Sequence, residues 1–305
     1  MLNWIFAAVK TLLLVVLCLA ANAAHSQNPV ATKYPPIGKL VDVGGYRVHL
    51  YCVGSGSPAA VITGAGYSFD WGLVQPEAAK FTEVCAYDHS GAAWSDPGPT
   101  DSCSLRVHEI HSALTNAKVA SPYVLVGHSL GGFVARLYAS MYPDEVAGMV
   151  IVDHAVRIVP PPGQIPRNVP PSSAAPTPGP PNPNAGFEKL PKRDYELHVW
   201  ANSLPGFSKI MQRNFEMMPE CDSDLAIATQ NQSTPLGNKP LVVLSTSNTM
   251  SGYKEVQRKL AALSSNSRET VAENSSHYIM VDRPDLVNNA IHDVVVAAQS
   301  HSRLK

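Results

Sequence analysis

The sequence predicts an α/β fold in which a mostly parallel sheet carries helices on both faces. Between residues 59 and 152, short apolar runs of strand length alternate with segments of helical periodicity. Such alternation is typical of strand–helix–strand units, whose strands run parallel. A hairpin that turns at Gly44 and Gly45 adds an antiparallel edge, and the alternation returns at Pro240 after a long interruption.

The individual elements follow from these periodicities. Strands are predicted over residues 40–43, 46–53, 59–63, 83–87, 123–126, 149–152, 241–245 and 269–272. Helices are predicted over residues 71–80, 105–118, 130–141, 195–204, 207–217, 253–263 and 284–299. Pro284 suits the first turn of the last helix, and Asp282 is a candidate N-cap.

The interruption divides the chain. Residues 24–153 and 240–305 form the two parts of the sheet domain, and residues 154–239 form an insertion that we interpret as a cap over the carboxyl edge of the sheet. Its segment 159–184 holds eleven of the 26 prolines, a composition that predicts an extended loop. The large apolar side chains of the cap line a pocket or form its own core: Trp200, Phe207, Phe215, Met217 and Met218.

Composition limits the class of partner. The chain has 305 residues, of which 45% are hydrophobic, and a formal net charge of -1. It lacks the basic excess that binding to nucleic acid requires.

The first 23 residues predict a secretory leader. Lys10 precedes the apolar run over residues 11–20, and Ala21-Asn22-Ala23 is a small-x-small cleavage site. We therefore expect export to the periplasm or the medium, and no stable membrane insertion after cleavage. The alternative is an N-terminal membrane anchor.

Four cysteines follow the leader: Cys52, Cys85, Cys103 and Cys221. An even number in an exported chain favours disulfides over free thiols, and four cysteines allow three pairings. Cys103–Cys221 is the favoured bond, because both residues lie in predicted surface segments, and Cys52–Cys85 is the other candidate. No spacing indicates zinc.

A G-x-S-x-G pentapeptide, residues 127–131, is the most specific motif. It lies between a predicted buried strand and a predicted helix, which is the setting of a nucleophile elbow. Glycine is needed at Gly127 and Gly131 because the turn is crowded. The sequence therefore predicts Ser129 as a nucleophile at the start of a helix, whose positive end favours a developing oxyanion.

A serine hydroxyl needs a base within hydrogen-bond reach. Among the eleven histidines, His277 lies in a polar loop between the last predicted strand and the final helix, at the same sheet edge as Ser129. His128 adjoins the nucleophile, but its side chain is expected to point away from Ser129.

Asp153 is the predicted orienting acid, because it ends a buried strand at the site edge. The order Ser129, Asp153, His277 fits the order of a catalytic triad on this fold. Glu255 is the alternative acid, since the strand over residues 241–245 is followed by no earlier carboxylate. The oxyanion donors are predicted to be the amide of Leu130 and that of Ala65, with Gly66 as the next choice for the second.

Together these residues resemble the α/β-hydrolase superfamily. The resemblance is carried by residues 123–153, by the turn after Asp88, and by Ser276-His277-Tyr278 with the helix after it. It covers about residues 40–153 and 239–296. It implies an eight-stranded sheet, catalysis without a metal or organic cofactor, and a structural role for Asp88. The loop at Gly64 lacks the His-Gly pair that is frequent in the family. The predicted acid, Asp153, follows the strand one before the strand that usually carries the acid.

The predicted function is that of a serine hydrolase that cleaves a carboxylic ester or related acyl bond of a small molecule. An acyltransferase or lyase on the same scaffold is an alternative, and a non-catalytic secreted binding protein is another. A dehalogenase is disfavoured because position 129 is serine rather than aspartate.

Overall fold

An eight-stranded, mostly parallel sheet forms the centre of the fold, as the alternating pattern predicts. In the computed structural model, residues 33–64, 66–155, 182–230, 232, 234–247 and 252–304 are described. The predicted leader, Ala65 and most of the proline-rich run lie outside the described residues, and all elements below belong to the compact unit Pro36–Lys305.

The strands lie in the order β1-β2-β4-β3-β5-β6-β7-β8. β1 and β2 pair antiparallel, β2 pairs antiparallel with β4, and the remaining neighbours are parallel. The bounds are β1 Lys39–Asp42, β2 Arg47–Val53, β3 Ala59–Thr63, β4 Val84–Asp88, β5 Tyr123–His128, β6 Val146–Val152, β7 Leu241–Thr246 and β8 Ser267–Ala272.

The helices cover both faces of this sheet. They are α1 Gln75–Ala78, α2 Cys103–Ala117, α3 Gly131–Met141, α4 Lys192–Asn202, α5 Phe207–Glu216, α6 Met218–Ala228, α7 Tyr253–Ala261, α8 Ile279–Asp282 and α9 Pro284–Gln299, with 3-10 turns at Ser68–Trp71 and Pro143–Glu145. Alternate side chains of each strand enter different cores. In β5, Leu125 packs in the core with α2, α3, α6 and α7, whereas Val124 packs in the core with α1, α8 and α9. No described helix is long and apolar enough to cross a bilayer.

The predicted elements differ from the structure in three places. The helix predicted over residues 71–80 is a 3-10 turn followed by the one-turn helix α1. Helix α6 was not predicted from the sequence, and it begins where the second cap helix was expected to end. Asp282 is not the N-cap of α9, because Arg283 occupies that position and the Asp282 carboxylate accepts hydrogen bonds from Ser276 instead.

Both candidate disulfides are present. Cys52 and Cys85 are directly opposed on β2 and β4, with their Cα atoms 4.0 Å apart. Cys103 and Cys221 join α2 to the cap helix α6, with their Cα atoms 5.5 Å apart. The second bond therefore ties the cap covalently to the sheet domain.

The strand register sets where the functional side chains lie. Thr63 pairs with Gly127 in the β3–β5 ladder, and His128 pairs with Val152 in the β5–β6 ladder. The residues that follow these strands therefore meet at one carboxyl edge of the sheet. Gly64, Ser129 and Asp153 are the first residues beyond β3, beyond β5 and beyond β6 respectively.

Candidate active site

The turn after β5 holds Ser129 in the left-handed backbone region, with a φ of 54°. This conformation is strained for a non-glycine residue and is found where a fold requires it. The Ser129 amide donates to the Val152 carbonyl at 3.2 Å, which ties the turn to the adjacent strand. A Cβ atom at Gly127 would lie 2.7 Å from the carbonyl oxygen of Gly131, so the turn closes only with glycine there.

His277 and Asp153 contact each other directly at this edge of the sheet. His277 Nδ1 lies 2.6 Å from Asp153 Oδ2, with the carboxylate buried and the imidazole partly exposed. The other carboxylate oxygen, Oδ1, accepts from the Thr246 amide at 3.2 Å and from the Tyr253 hydroxyl. Burial alone would raise the pKa of Asp153, but the hydrogen bond and charge of His277, with those two donors, hold that pKa below its usual range. Asp153 is therefore an anion that orients the imidazole.

The loop that carries His277 is fixed from two sides. The imidazole of His128 donates from Nε2 to the His277 carbonyl at 3.0 Å, and the two rings have centroids 4.7 Å apart. Ser276 donates its amide to Asp282 at 2.9 Å. Burial, and then the charge of His277, lower the pKa of His128 to about 3, so this ring stays neutral. The contact of His128 with His277 was missed from the sequence, because a loop 149 residues away gives no local signal.

The structure brings the Ser129 backbone close to this pair but does not join all three side chains. Within the described residues, the Ser129 hydroxyl makes no hydrogen bond to the His277 imidazole. The contact between His277 and His128, the neighbour of Ser129, nevertheless brings the two loops together. Catalytic hydrogen bonds are often longer before substrate binds than in the reacting complex.

The alternative acid lies elsewhere. Glu255 is on α7, half exposed, and its carboxylate pairs with Arg258 at 2.6 Å. It is thus engaged in a helix-surface ion pair, whereas Asp153 contacts the His277 imidazole directly.

The oxyanion donors were predicted to be the amides of Leu130 and Ala65. Leu130 is the N-cap residue of α3, so its amide is at the positive end of that helix, next to Ser129. Ala65 lies outside the described residues, but its neighbours Gly64 and Gly66 are described. A Cβ atom at Gly131 would lie 2.8 Å from the Gly64 amide nitrogen, so the loop after β3 runs directly against the elbow.

A second Ser–His–Asp cluster is present, but its arrangement is structural. His49 Nδ1 lies 2.7 Å from Asp88 Oδ2, and the Ser68 hydroxyl donates to the same carboxylate at 3.0 Å. The remaining ring nitrogen of His49 accepts from the Gly38 amide at 2.9 Å, so it cannot take a proton from a serine. All three side chains are buried, which agrees with the structural role that the resemblance implies for Asp88.

One group of described residues has the spacing of metal ligands, namely Cys52, Glu83 and Cys85. Its two sulfur atoms form the disulfide, so they are not available as thiolates.

The apolar side chains of the cap do not form a single wall. Trp200 is buried against Trp94, with ring centroids 5.1 Å apart. Met217 is fully buried in the core next to α6, whereas Phe215 is 55% exposed. Trp200 therefore packs at the junction of cap and sheet domain, whereas Met217 is buried in the core and Phe215 faces solvent.

Comparison with known proteins identifies the family. A family model described as "Alpha/beta hydrolase family" matches residues 51–290, which is more than three quarters of the chain. The chain belongs to the alpha/beta hydrolase family. The fold described above is therefore that of a hydrolase family.

Similar proteins from this family include both named enzymes and proteins without an assigned activity. "Uncharacterized protein YqjL" of Bacillus subtilis is 26% identical over 274 residues, which cover 85% of this chain and 92% of YqjL. The "2-hydroxymuconate semialdehyde hydrolase" of Pseudomonas sp. strain CF600 is 31% identical over 126 residues, 40% of this chain and 44% of that enzyme. A 38% identical stretch of 89 residues, 29% of this chain, covers only 16% of "Uncharacterized protein C23C11.06c" of Schizosaccharomyces pombe.

Solved structures agree on the fold. A "putative lipase (lip1)" from Acinetobacter baumannii AYE superposes with a TM-score of 0.65 at 17% identity, covering 90% of this chain and 96% of the lipase. This alpha/beta hydrolase shares the eight-stranded architecture with such structures, and at this level of identity the likeness concerns the fold alone.

Proposed function

We propose that this alpha/beta hydrolase cleaves a carboxylic ester through an acyl-enzyme, with Ser129, His277 and Asp153 as its catalytic triad. The observation that carries the proposal is the 2.6 Å contact between His277 Nδ1 and the buried Asp153 carboxylate, formed beside a strained serine turn. An imidazole held in this way by its Nδ1 leaves Nε2 free to act as a base.

The reaction would proceed in two acyl transfers. His277 takes the Ser129 proton as the serine oxygen attacks the ester carbonyl, and then gives that proton to the leaving alkoxide. Water attacks the resulting acyl-serine, again with His277 as the base, and releases the acid. Asp153 holds the imidazole in one tautomer and stabilises the imidazolium. Because the pKa of Asp153 is held below its usual range, the carboxylate stays ionised during both steps.

Two amides would bind the oxyanion. The Leu130 amide at the start of α3 is the first donor, and the loop after β3 supplies the second, from Ala65 or, as the next choice, Gly66. Removing one such donor from a hydrolase typically costs about 10²- to 10³-fold in kcat. The proposal requires no metal and no organic cofactor.

The proposed substrate is a small or medium-sized carboxylic ester. The aromatic packing of Trp200, Trp94 and Phe69 at the junction of cap and sheet domain supports an apolar substrate. The two disulfides support an exported protein, because such bonds persist in oxidising compartments.

Hydrolysis of p-nitrophenyl esters of increasing acyl length would test the proposal. Ser129→Ala should lower kcat at least about 10⁴-fold, as loss of a triad member does. The matched control Ser223→Ala removes an exposed hydroxyl of α6 and should keep full activity. Wild-type turnover in S129A would refute the proposal.

The choice of acid has its own test. Asp153→Asn should lower kcat by about 10⁴-fold, because the amide favours the wrong imidazole tautomer. Glu255→Gln should leave kcat unchanged, and the reverse result would overturn the assignment of Asp153. Adding an alcohol acceptor and analysing the products would separate acyl transfer to water from acyl transfer to the alcohol.

A further inference from the structure

A buried histidine–aspartate pair connects the cap to the sheet domain, away from the triad. His198 lies on the cap helix α4, and Asp70 lies in the 3-10 turn Ser68–Trp71 after β3. His198 Nδ1 is 2.7 Å from Asp70 Oδ1, and the two side chains are only 5% and 2% exposed. A titratable histidine and a carboxylate are therefore buried together and in direct contact.

The imidazole of His198 is fixed on its other sides as well. It stacks on Phe187 with ring centroids 3.9 Å apart, and its Nε2 lies 2.9 Å from Asn202 Nδ2 and 3.4 Å from the Pro183 carbonyl. Burial would lower the pKa of His198, but the charge and hydrogen bond of Asp70 outweigh it and raise that pKa, with a smaller contribution from Glu188.

The carboxylate of Asp70 has a second partner in the loop after β3. Its Oδ2 accepts a hydrogen bond from the Tyr67 amide at 2.9 Å. A Cβ atom at Gly66 would overlap the same oxygen, so the carboxylate lies directly against the loop backbone. One carboxylate thus contacts the cap through Oδ1 and, through Oδ2, the loop expected to supply the second oxyanion donor.

We propose that His198 and Asp70 are positioning residues for ester hydrolysis. They hold the loop after β3 at Gly66 and Tyr67 so that this loop can supply the second oxyanion donor, and they make its position depend on the docked cap. This inference rests on the proposed function.

Other contacts hold the cap independently of this pair. The disulfide between Cys103 and Cys221 fixes α6, and Arg213 on α5 donates to the Asp101 carbonyl at 2.6 Å. Loss of the pair should therefore leave the cap attached. Its main effect should fall on the loop, and hence on the rate of the chemical step.

Steady-state kinetics of the full-length His198→Phe variant on p-nitrophenyl butyrate would test this inference. Phenylalanine keeps the stack on Phe187 but cannot donate to Asp70. We expect kcat to fall about tenfold, part of the loss typical of a missing oxyanion donor, with KM within about twofold because substrate binding is unaffected. His198→Asn keeps an N–H donor near Nδ1 and should restore kcat to within about threefold of wild type.

His111→Phe is the matched control. His111 also lies on a helix, stacks on Tyr142 at 4.1 Å and pairs with a carboxylate, that of Glu145, at 3.3 Å. Its replacement should leave kcat unchanged. If H198F fails to fold, Asp70→Ala, which removes both oxygens that contact Tyr67 and His198, takes its place, and the same tenfold loss of kcat is expected.

The outcomes distinguish this inference from the proposed function. An inactive S129A variant together with wild-type kcat in H198F, or a kcat in H198N as low as that in H198F, would overturn the positioning role and leave the triad intact. Full activity of S129A would instead remove the proposed function on which the inference rests.

Discussion

Replacing Gly131 by alanine tests whether the close contact between the elbow and β3 is required for stability and catalysis. The added Cβ would lie 2.5 Å from the carbonyl carbon of Thr63 and 2.8 Å from the Gly64 amide nitrogen. Both are backbone atoms, which cannot rotate away as a side chain can. Relief would require α3 to move from the end of β3, and such overpacking costs about 1–3 kcal/mol.

The expected loss is measurable by two assays. At about 2–4 °C per kcal/mol for a domain of this size, Tm should fall by roughly 2–12 °C. The same movement separates the Leu130 amide from the loop at Gly64, so kcat for p-nitrophenyl butyrate should fall about tenfold or more.

Gly132, next in the chain, and Gly206, the N-cap of the cap helix α5, provide controls. A Cβ at Gly132 would meet the His154 ring at 3.2 Å, and a side chain can shift by a few tenths of an ångström. A Cβ at Gly206 would meet no atom of the described residues within 4 Å. G132A and G206A should therefore keep Tm within about 2 °C and retain kcat. Wild-type Tm and kcat in G131A would refute the argument from backbone crowding.

Three further predictions concern the Cys103–Cys221 disulfide, the buried His198–Asp70 pair and the loop that carries His277. Replacing Cys103 and Cys221 together by serine should lower the free energy of unfolding by about 4–5 kcal/mol, since the bond closes a loop of more than one hundred residues. Chemical denaturation of the double variant would measure this loss, and an unchanged midpoint would contradict the prediction. Because Asp70 raises the pKa of His198, the ion pair contributes fully below the ordinary histidine pKa of about 6.5 and is lost as pH rises through the folded value. The Tm difference between wild type and H198N should thus be larger at pH 6 than at pH 9, and a constant difference would refute it. His128→Ala removes the donor to the His277 carbonyl, so kcat should fall about tenfold, a loss of the size of one hydrogen bond. Normal kcat in this variant would show that the loop carrying His277 does not depend on this hydrogen bond.

Much of the sheet edge follows from local sequence. The pentapeptide at Ser129 predicts a turn because its glycines are needed at a tight strand-to-helix junction, and the structure has the expected strand, turn and helix there. Asp153 was predicted at the end of a buried strand, and it lies there in contact with His277. Neighbouring parallel strands end at one edge, so chain position alone indicates which side chains can meet.

The contacts between distant segments could not be predicted in this way. His198 and Asp70 are 128 residues apart, and nothing in either segment specifies how the cap docks. Likewise, the ring of His128 was expected only to avoid Ser129, and its contact with His277 depends on the path of a loop after the last strand. The helix predicted over residues 71–80 was also wrong. In its place, a 3-10 turn ends at Trp71 and the one-turn helix α1 follows.

Labelling with a fluorophosphonate, followed by peptide mapping, tests the central claim most directly. Such a probe reacts with a serine only where a base and an oxyanion site activate it. We predict one adduct per chain, located on Ser129, with labelling lost in His277→Ala and retained in His292→Ala, whose histidine is exposed on α9. An unlabelled wild-type protein, or an adduct on any residue other than Ser129, would contradict the account.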